Sequence, residues 1–144
     1  DSYEKAIDTF KSGFYCAESV LSVIAKEEGV TSEIIPGIAT GFCSGMSRTS
    51  NMCGALAGGI MALGLVYGRR HSSDSVEKTY QAVQQLISRF ENEFGTSNCQ
   101  DLLKIDLGTK EGQQAFVDRK MIGKCLEYTG RVAQMTRDII DCDG

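Results

Sequence analysis

The sequence predicts an all-α protein, a compact helical bundle around a central glycine-rich buried helix. Apolar residues recur at three- and four-residue spacing along most of the 144 residues, which is the period of helices with one buried face. A single proline and few alternating β-branched runs disfavour strands. With 42% hydrophobic and 24% charged residues the chain has a globular composition, so we expect one helical domain over residues 1–144.

The central helix is predicted from the uncharged run TSNMCGALAGGIMALGLVYG, residues 49–68. A membrane span needs about 20 mainly apolar residues. Here the strongly apolar part, residues 55–67, is shorter and contains glycines, which lower helix propensity. Gly54 and Gly58 lie four residues apart on one face, a spacing that lets another backbone approach closely. We therefore expect a buried helix of a soluble domain and no membrane interaction.

Helical periodicity and terminal signals predict the other elements. In chain order they are a helix over residues 3–26 broken at Gly13, a short helix over 31–39, a loop over 41–51, a helix over 73–94, a helical turn from Cys99, and helices over 113–120 and 121–141. Ser50 or Asn51 is expected to cap the central helix, and Asn98 the turn from Cys99. The tripeptide TSN thus leads into both elements.

The cysteines are the candidate functional residues. They are Cys16, Cys43, Cys53, Cys99, Cys125 and Cys142. None belongs to a CxxC pair, which disfavours zinc-ribbon, thioredoxin-type and ferredoxin-type sites, because those use closely spaced ligands. The fold must therefore bring these dispersed thiols together.

Three of these thiols, Cys16, Cys53 and Cys99, are predicted to lie at helix N-termini. The positive end of a helix dipole favours an anion there, and it can lower a thiol pKa below its free value of about 8.5. Cys53 is accordingly the expected attacking thiolate, although a small buried packing residue is the alternative. Cys43 lies ten residues before Cys53 in a flexible stretch and is its most plausible sequence-local disulfide partner.

Other classes of function find little support. The net charge of −4 gives no reason to expect nucleic-acid binding, which depends on clustered Lys and Arg. The single histidine, His71, is far from an evident nucleophile, and no GxxxxGK phosphate loop is present, so hydrolase and nucleotide-binding functions are disfavoured. The opening DSYEKAIDTF is charged and helix-periodic rather than signal-like, so we expect a cytoplasmic protein.

Four segments together resemble the C-GCAxxG-C-C family of small bacterial and archaeal proteins, described as redox-active. The segments are FKSGFYCAESVL, ATGFCSGMSRTSNMCGALAGGIMALGLVYG, SNCQDLL and KCLEYTGRVA. The resemblance implies an all-helical redox-active domain with four recurrent cysteines, Cys16, Cys53, Cys99 and Cys125. The sequence departs from the family pattern in reading MCGALAGG for GCAxxG and in having Tyr15 where asparagine is more usual. Cys43 is an additional thiol, either a resolving cysteine or an incidental substitution.

Two functional hypotheses follow. The first is a thiol–disulfide redox protein with an unknown redox partner, in which Cys53 attacks, Cys43, Cys16 or Cys99 is its partner, and Cys125 completes the cluster. The second is a metal- or iron–sulfur-binding protein, with zinc or an iron–sulfur cluster as cofactor, because thiolate ligands suit both. Its ligands would be Cys16, Cys53, Cys99 and Cys125. A structural interaction module, homodimeric through the glycine face, is a third interpretation, and enzymatic activity stays open.

Overall fold

The computed structural model describes residues 1–143, and the regular structure there is helical. In chain order the elements are α1 (Ser2–Lys11), α2 (Cys16–Glu27), a 3-10 helix (Gly37–Phe42), α3 (Cys43–Arg48), α4 (Gly54–Tyr67), α5 (Glu77–Phe94), α6 (Cys99–Leu103), α7 (Lys110–Asp118) and α8 (Ile122–Asp143). The only β-type pairing among these residues is one isolated bridge, between Met52 and Asn98. The predicted all-α class is confirmed.

Helix α4 lies at the centre of the bundle, as predicted. It packs against α2, α5 and α8, because its side chains are apolar or small on every face. Leu56 and Leu63 are fully buried. The core around them includes Val20 and Ile24 of α2, Leu86 and Phe90 of α5, and Val132 of α8. Within the described part of the chain, none of the helices combines the length and hydropathy that a membrane crossing requires.

The glycines of α4 mark its closest contacts. A Cβ atom at Gly58 would lie 2.7 Å from the carbonyl oxygen of Ala17 in α2, nearer than real Cβ atoms approach. A Cβ atom at Gly59 would lie 2.7 Å from Val132 Cγ1 in α8. The expected close packing on the glycine face is therefore confirmed. Within the chain, the face of Gly58 is occupied by α2.

Local signals set several helix ends where the sequence predicted them. Helices α1 and α2 separate at Gly13, whose φ of +124° favours glycine, and α2 then begins at Cys16. Gly95 ends α5 in the left-handed conformation. The side chain of Asn98 accepts the backbone N–H of Asp101 at 3.1 Å and so caps α6.

The predicted loop over residues 41–51 is instead helical, and part of it is left-handed. Residues 44–48 all have positive φ angles, between 55° and 69°. Left-handed backbone costs roughly 1–2 kcal/mol per non-glycine residue, so tertiary contacts must hold it. The N–H of Asn51 donates to the carbonyl of Gly45 at 3.1 Å. A Cβ atom at Gly45 would lie 2.6 Å from Cys99 Cβ, which shows how tightly the turn packs against α6.

The segments that lead into α4 and α6 pair with each other. The N–H of Cys53 donates to a facing carbonyl at 2.8 Å, and the N–H of Cys99 donates to the carbonyl of Asn51 at 2.7 Å. The side-chain amide of Asn98 also donates to the carbonyl of Ser50 at 2.8 Å. This pairing fixes the backbones of the two cysteines side by side. It also makes Cys53 itself the N-cap of α4, in place of the predicted Ser50 or Asn51.

Replacing Gly58 with alanine is expected to destabilise the fold, because the added methyl group would collide with the backbone of Ala17. We expect the free energy of unfolding to fall by about 1–3 kcal/mol. Gly64→Ala in the same helix is the control. Nothing lies within 4 Å of the added methyl there, so the higher helix propensity of alanine should raise stability by up to about 1 kcal/mol. Urea unfolding measures the stability of both variants. Equal changes in their free energy of unfolding would contradict the close contact between Gly58 and Ala17.

Asn98→Ala is expected to lower stability, because it removes both the cap of α6 and the hydrogen bond to the carbonyl of Ser50. The expected loss is about 1–2 kcal/mol, seen as a lower urea midpoint at an unchanged m value. The matched control is Asn92→Ala, at an exposed position of α5. A midpoint shift as large in the control as in Asn98→Ala would show that the pairing contributes nothing.

Candidate functional site

Four of the five cysteines predicted as site residues line one cavity. It has a volume of about 300 Å³ and is lined by Cys16, Cys53, Cys99 and Cys125. We call it the thiol cavity. The first residues of α2 and α6, the N-cap of α4 and the first turn of α8 each contribute one of these thiols. Cys142 is exposed near the end of α8 and does not line the cavity.

The wall of the thiol cavity is mainly apolar. Much of it is formed by Phe10, Leu102, Leu103, Leu107, Phe116 and Tyr128. Ser44 and Gln113 contribute polar groups to the wall. Among the described lining residues, only Arg48 carries a charged side chain. An apolar wall of this kind disfavours ionised thiols unless a hydrogen bond or an opposite charge compensates for the lost water.

Cys43, the fifth predicted site residue, does not line the cavity, and its thiol interacts with that of Cys16. The thiol groups of Cys16 and Cys43 are neighbours, and each changes the pKa of the other. Gly54 makes this contact possible: a Cβ atom there would collide with Cys16 Sγ and would lie 3.1 Å from Cys43 Cα. Cys16 is half-buried and faces the cavity, whereas Cys43 is buried.

The environment of Cys43 favours its thiolate. The hydrogen bond from Cys16 lowers the pKa of Cys43, and the backbone N–H groups of Glu18 and Ala17 at the start of α2 act in the same direction. Burial and the carboxylate of Glu18, whose Oε1 lies 3.8 Å from Cys43 Sγ, oppose them. The balance places the pKa of Cys43 at about 7. The same hydrogen bond, together with burial, raises the pKa of Cys16 well above its ordinary value.

The other cavity thiols, those of Cys53, Cys99 and Cys125, have raised pKa values. Burial raises the pKa of Cys53 to about 11, even though the N–H groups of Leu56 and Ala55 at the start of α4 lower it in part. Burial, with the nearby charges of Cys53 and Cys99, raises the pKa of Cys125 to about 12, and burial raises that of Cys99. The lowered pKa expected for Cys53 is therefore not observed, because desolvation outweighs the helix N-terminus.

A single metal ion does not fit the thiols as they are placed. Over residues 1–143, no three His, Cys, Asp or Glu side chains lie close enough together to hold one. A zinc site needs several ligand atoms at about 2.0–2.3 Å from one ion, so the zinc alternative does not match this arrangement. An iron–sulfur cluster does not require its cysteines to meet at one ion, because they bind to different iron atoms of the cluster.

The sequence contained little that pointed to the pairing of Cys16 with Cys43. They lie 27 residues apart, on either side of the 3-10 helix. The available signal was Gly54 directly after Cys53, because a glycine at a helix start allows another chain segment to approach closely. The repeated TSN before Cys53 and Cys99 was a second signal, and these are the segments that pair.

The comparison with known families agrees with this site. A family model described as "Putative redox-active protein (C_GCAxxG_C_C)" matches residues 14–139. The matched region includes the four thiols of the cavity together with Cys43. No curated protein and no solved structure matches the chain. The resemblance noted in the sequence is confirmed, and the chain belongs to the C-GCAxxG-C-C family.

Proposed function

We propose that this protein is a dithiol redox protein that exchanges two electrons with a disulfide through Cys16 and Cys43. The observation that carries the proposal is geometric: Cys16 Sγ and Cys43 Cα both lie against Gly54, and Cys16 lines the thiol cavity whereas Cys43 does not. Thiol–disulfide exchange needs a thiolate and a second thiol within reach. The pair supplies both near neutral pH, because its first proton is lost at a pKa of about 7.

The position of the two residues relative to the cavity assigns their roles, because Cys16 lines it and Cys43 does not. Cys16 faces the cavity, so its proton passes along the hydrogen bond to the thiolate of Cys43, and the Cys16 thiolate attacks a sulfur of the substrate disulfide. A mixed disulfide with Cys16 forms and one substrate thiolate leaves, taking the proton back from Cys43. The Cys43 thiolate then attacks Cys16 Sγ and releases the second thiolate. The pair has become a disulfide, and the substrate has become one thiol and one thiolate, which takes its proton from solvent. A partner dithiol returns the two electrons.

The sequence predicted Cys53 as the attacking thiolate, but Cys53 is less suited to this role than Cys16. With a pKa of about 11, roughly one Cys53 in ten thousand is ionised at pH 7. We assign Cys53, Cys99 and Cys125 to the wall of the reaction site in this function. A reducing compartment such as the cytoplasm would keep the pair as thiols between turnovers.

The rate of reaction with the small neutral disulfide 2,2′-dithiodipyridine is expected to rise with pH, with a midpoint at about 7. All variants carry Cys142→Ser, which removes the exposed thiol. Cys43→Ser should move the midpoint above about 8.5, because Cys16 then lacks its base. Cys125→Ser is the control and should keep the midpoint near neutrality. Peptide mapping of the oxidised protein should find a bond between Cys16 and Cys43, and a neutral midpoint that survives in Cys43→Ser would overturn the assignment.

Iron–sulfur binding is a second candidate function, favoured by a different observation. Four thiols from four elements line one cavity of about 300 Å³. Burial raises the pKa of Cys53, Cys99 and Cys125, and the contact with Cys43 together with burial raises that of Cys16. Bound iron would supply the positive charge that their ionisation requires. The ligands would be Cys16, Cys53, Cys99 and Cys125, and the cluster would give the protein one-electron redox chemistry.

Anaerobic incubation with ferrous iron and sulfide separates the two functions. If a cluster binds, we expect stoichiometric iron and visible absorption, which Cys125→Ser should abolish because it removes a ligand. Cys43→Ser should bind iron as the unaltered chain does, since Cys43 does not line the cavity. The dithiol function makes the opposite prediction: disulfide exchange requires Cys43 and does not require Cys125. Absence of stoichiometric iron would count against the cluster.

A further inference from the structure

Arg48 gives the thiol cavity a charge that nothing in the cavity balances. It lines the same cavity as Cys16, and the described lining contains no Asp or Glu. None of the ion pairs or side-chain hydrogen bonds of residues 1–143 involves its guanidinium group. Arg48 is the last residue of the left-handed turn, with a φ of 69°, so its position depends on a backbone conformation that the packing of α3 maintains. An exposed arginine held beside a cavity is suited to bind an anion.

The rest of the cavity favours an apolar ligand body. Its wall is apolar, and large apolar side chains remain exposed among its lining residues, with Val117 at 67% and Ile122 at 48% exposure. Tyr15, next to Cys16, is 57% exposed and also lines the cavity. A volume of about 300 Å³ is at the lower end of ligand pockets, which is the size for a small molecule.

We propose that the thiol cavity takes a small disulfide with an apolar body and an anionic end, whose anion binds Arg48 while its sulfur reaches Cys16. The inference rests on the proposed dithiol function and names the substrate class for that site. The ligand places its aromatic or aliphatic part against the wall and its carboxylate at the guanidinium, which can form two parallel hydrogen bonds with it. The exchange is the one already described, with the anionic disulfide reduced to two thiols and the Cys16–Cys43 pair oxidised.

Two reagents with the same disulfide-linked pyridine rings, one of them with a carboxylate on each ring, test this. One is neutral 2,2′-dithiodipyridine, and the other is its carboxylated analogue, 6,6′-dithiodinicotinic acid. In the Cys142→Ser background, Arg48→Gln should raise the concentration of the carboxylated reagent at half-maximal rate about tenfold, with the limiting rate unchanged. The neutral reagent reports any effect of the lost charge on the Cys16 thiolate, and its constants should change much less than those of the carboxylated reagent. Arg48→Lys should restore part of the affinity for the carboxylated one.

Arg70→Gln is the matched control, because it removes the same charge at the other end of α4. Arg70 follows that 14-residue helix, so it lies about 20 Å along the axis from the cavity end. Equal effects of Arg48→Gln and Arg70→Gln, or an equal effect of Arg48→Gln on both reagents, would overturn the anionic-ligand inference. Failure of the dithiol function gives a different result, since neither reagent would then react at Cys16 or form the Cys16–Cys43 bond.

Discussion

The close contact between α4 and α2 is the constraint on which the site depends. The backbone of α4 can approach α2 because Gly54 and Gly58 have no side chain, and alanine at Gly58 would press on the carbonyl of Ala17. The same approach brings Cys16, at the start of α2, to the start of α4, and leaves room behind it for Cys43. Glycines that weaken α4 as an isolated helix therefore create the space in which two thiols meet.

The ionisation of the thiols shows how burial competes with helix N-termini. Cys53 and Cys43 both receive backbone N–H groups from the first turn of a helix. For Cys53 these groups do not offset the loss of water, and its pKa is about 11. Cys43 has one additional stabilising contact, the hydrogen bond from Cys16, and its pKa is about 7. A helix N-terminus is therefore insufficient to produce a thiolate at Cys53, which lines the apolar cavity, whereas Cys43 lies outside the cavity lining and has Cys16 as a second donor.

The two candidate functions use the same cavity but different sets of sulfur atoms. Dithiol exchange needs Cys16 and Cys43, which are already in contact. Cluster binding needs Cys16 with Cys53, Cys99 and Cys125, whose ionisation requires a positive charge in the cavity. Cys16 is common to both functions, so each one would exclude the other while it operates. The unpaired charge of Arg48 at the same cavity is compatible with an anionic disulfide and has no role in ligating iron.

The sequence by itself determined the helical class, the central buried helix, the break at Gly13, the cap at Asn98 and the family. These depend on periodicity, on turn chemistry and on short motifs, which are local properties of the chain. Only the tertiary structure decided that the thiols of Cys43 and Cys16 interact, and that residues 44–48 turn in a left-handed conformation. Such features arise from contacts between segments far apart in sequence, and the cost of a left-handed backbone is offset only after those segments pack. The thiol pKa values belong to the same class, because desolvation exists only once the cavity has formed.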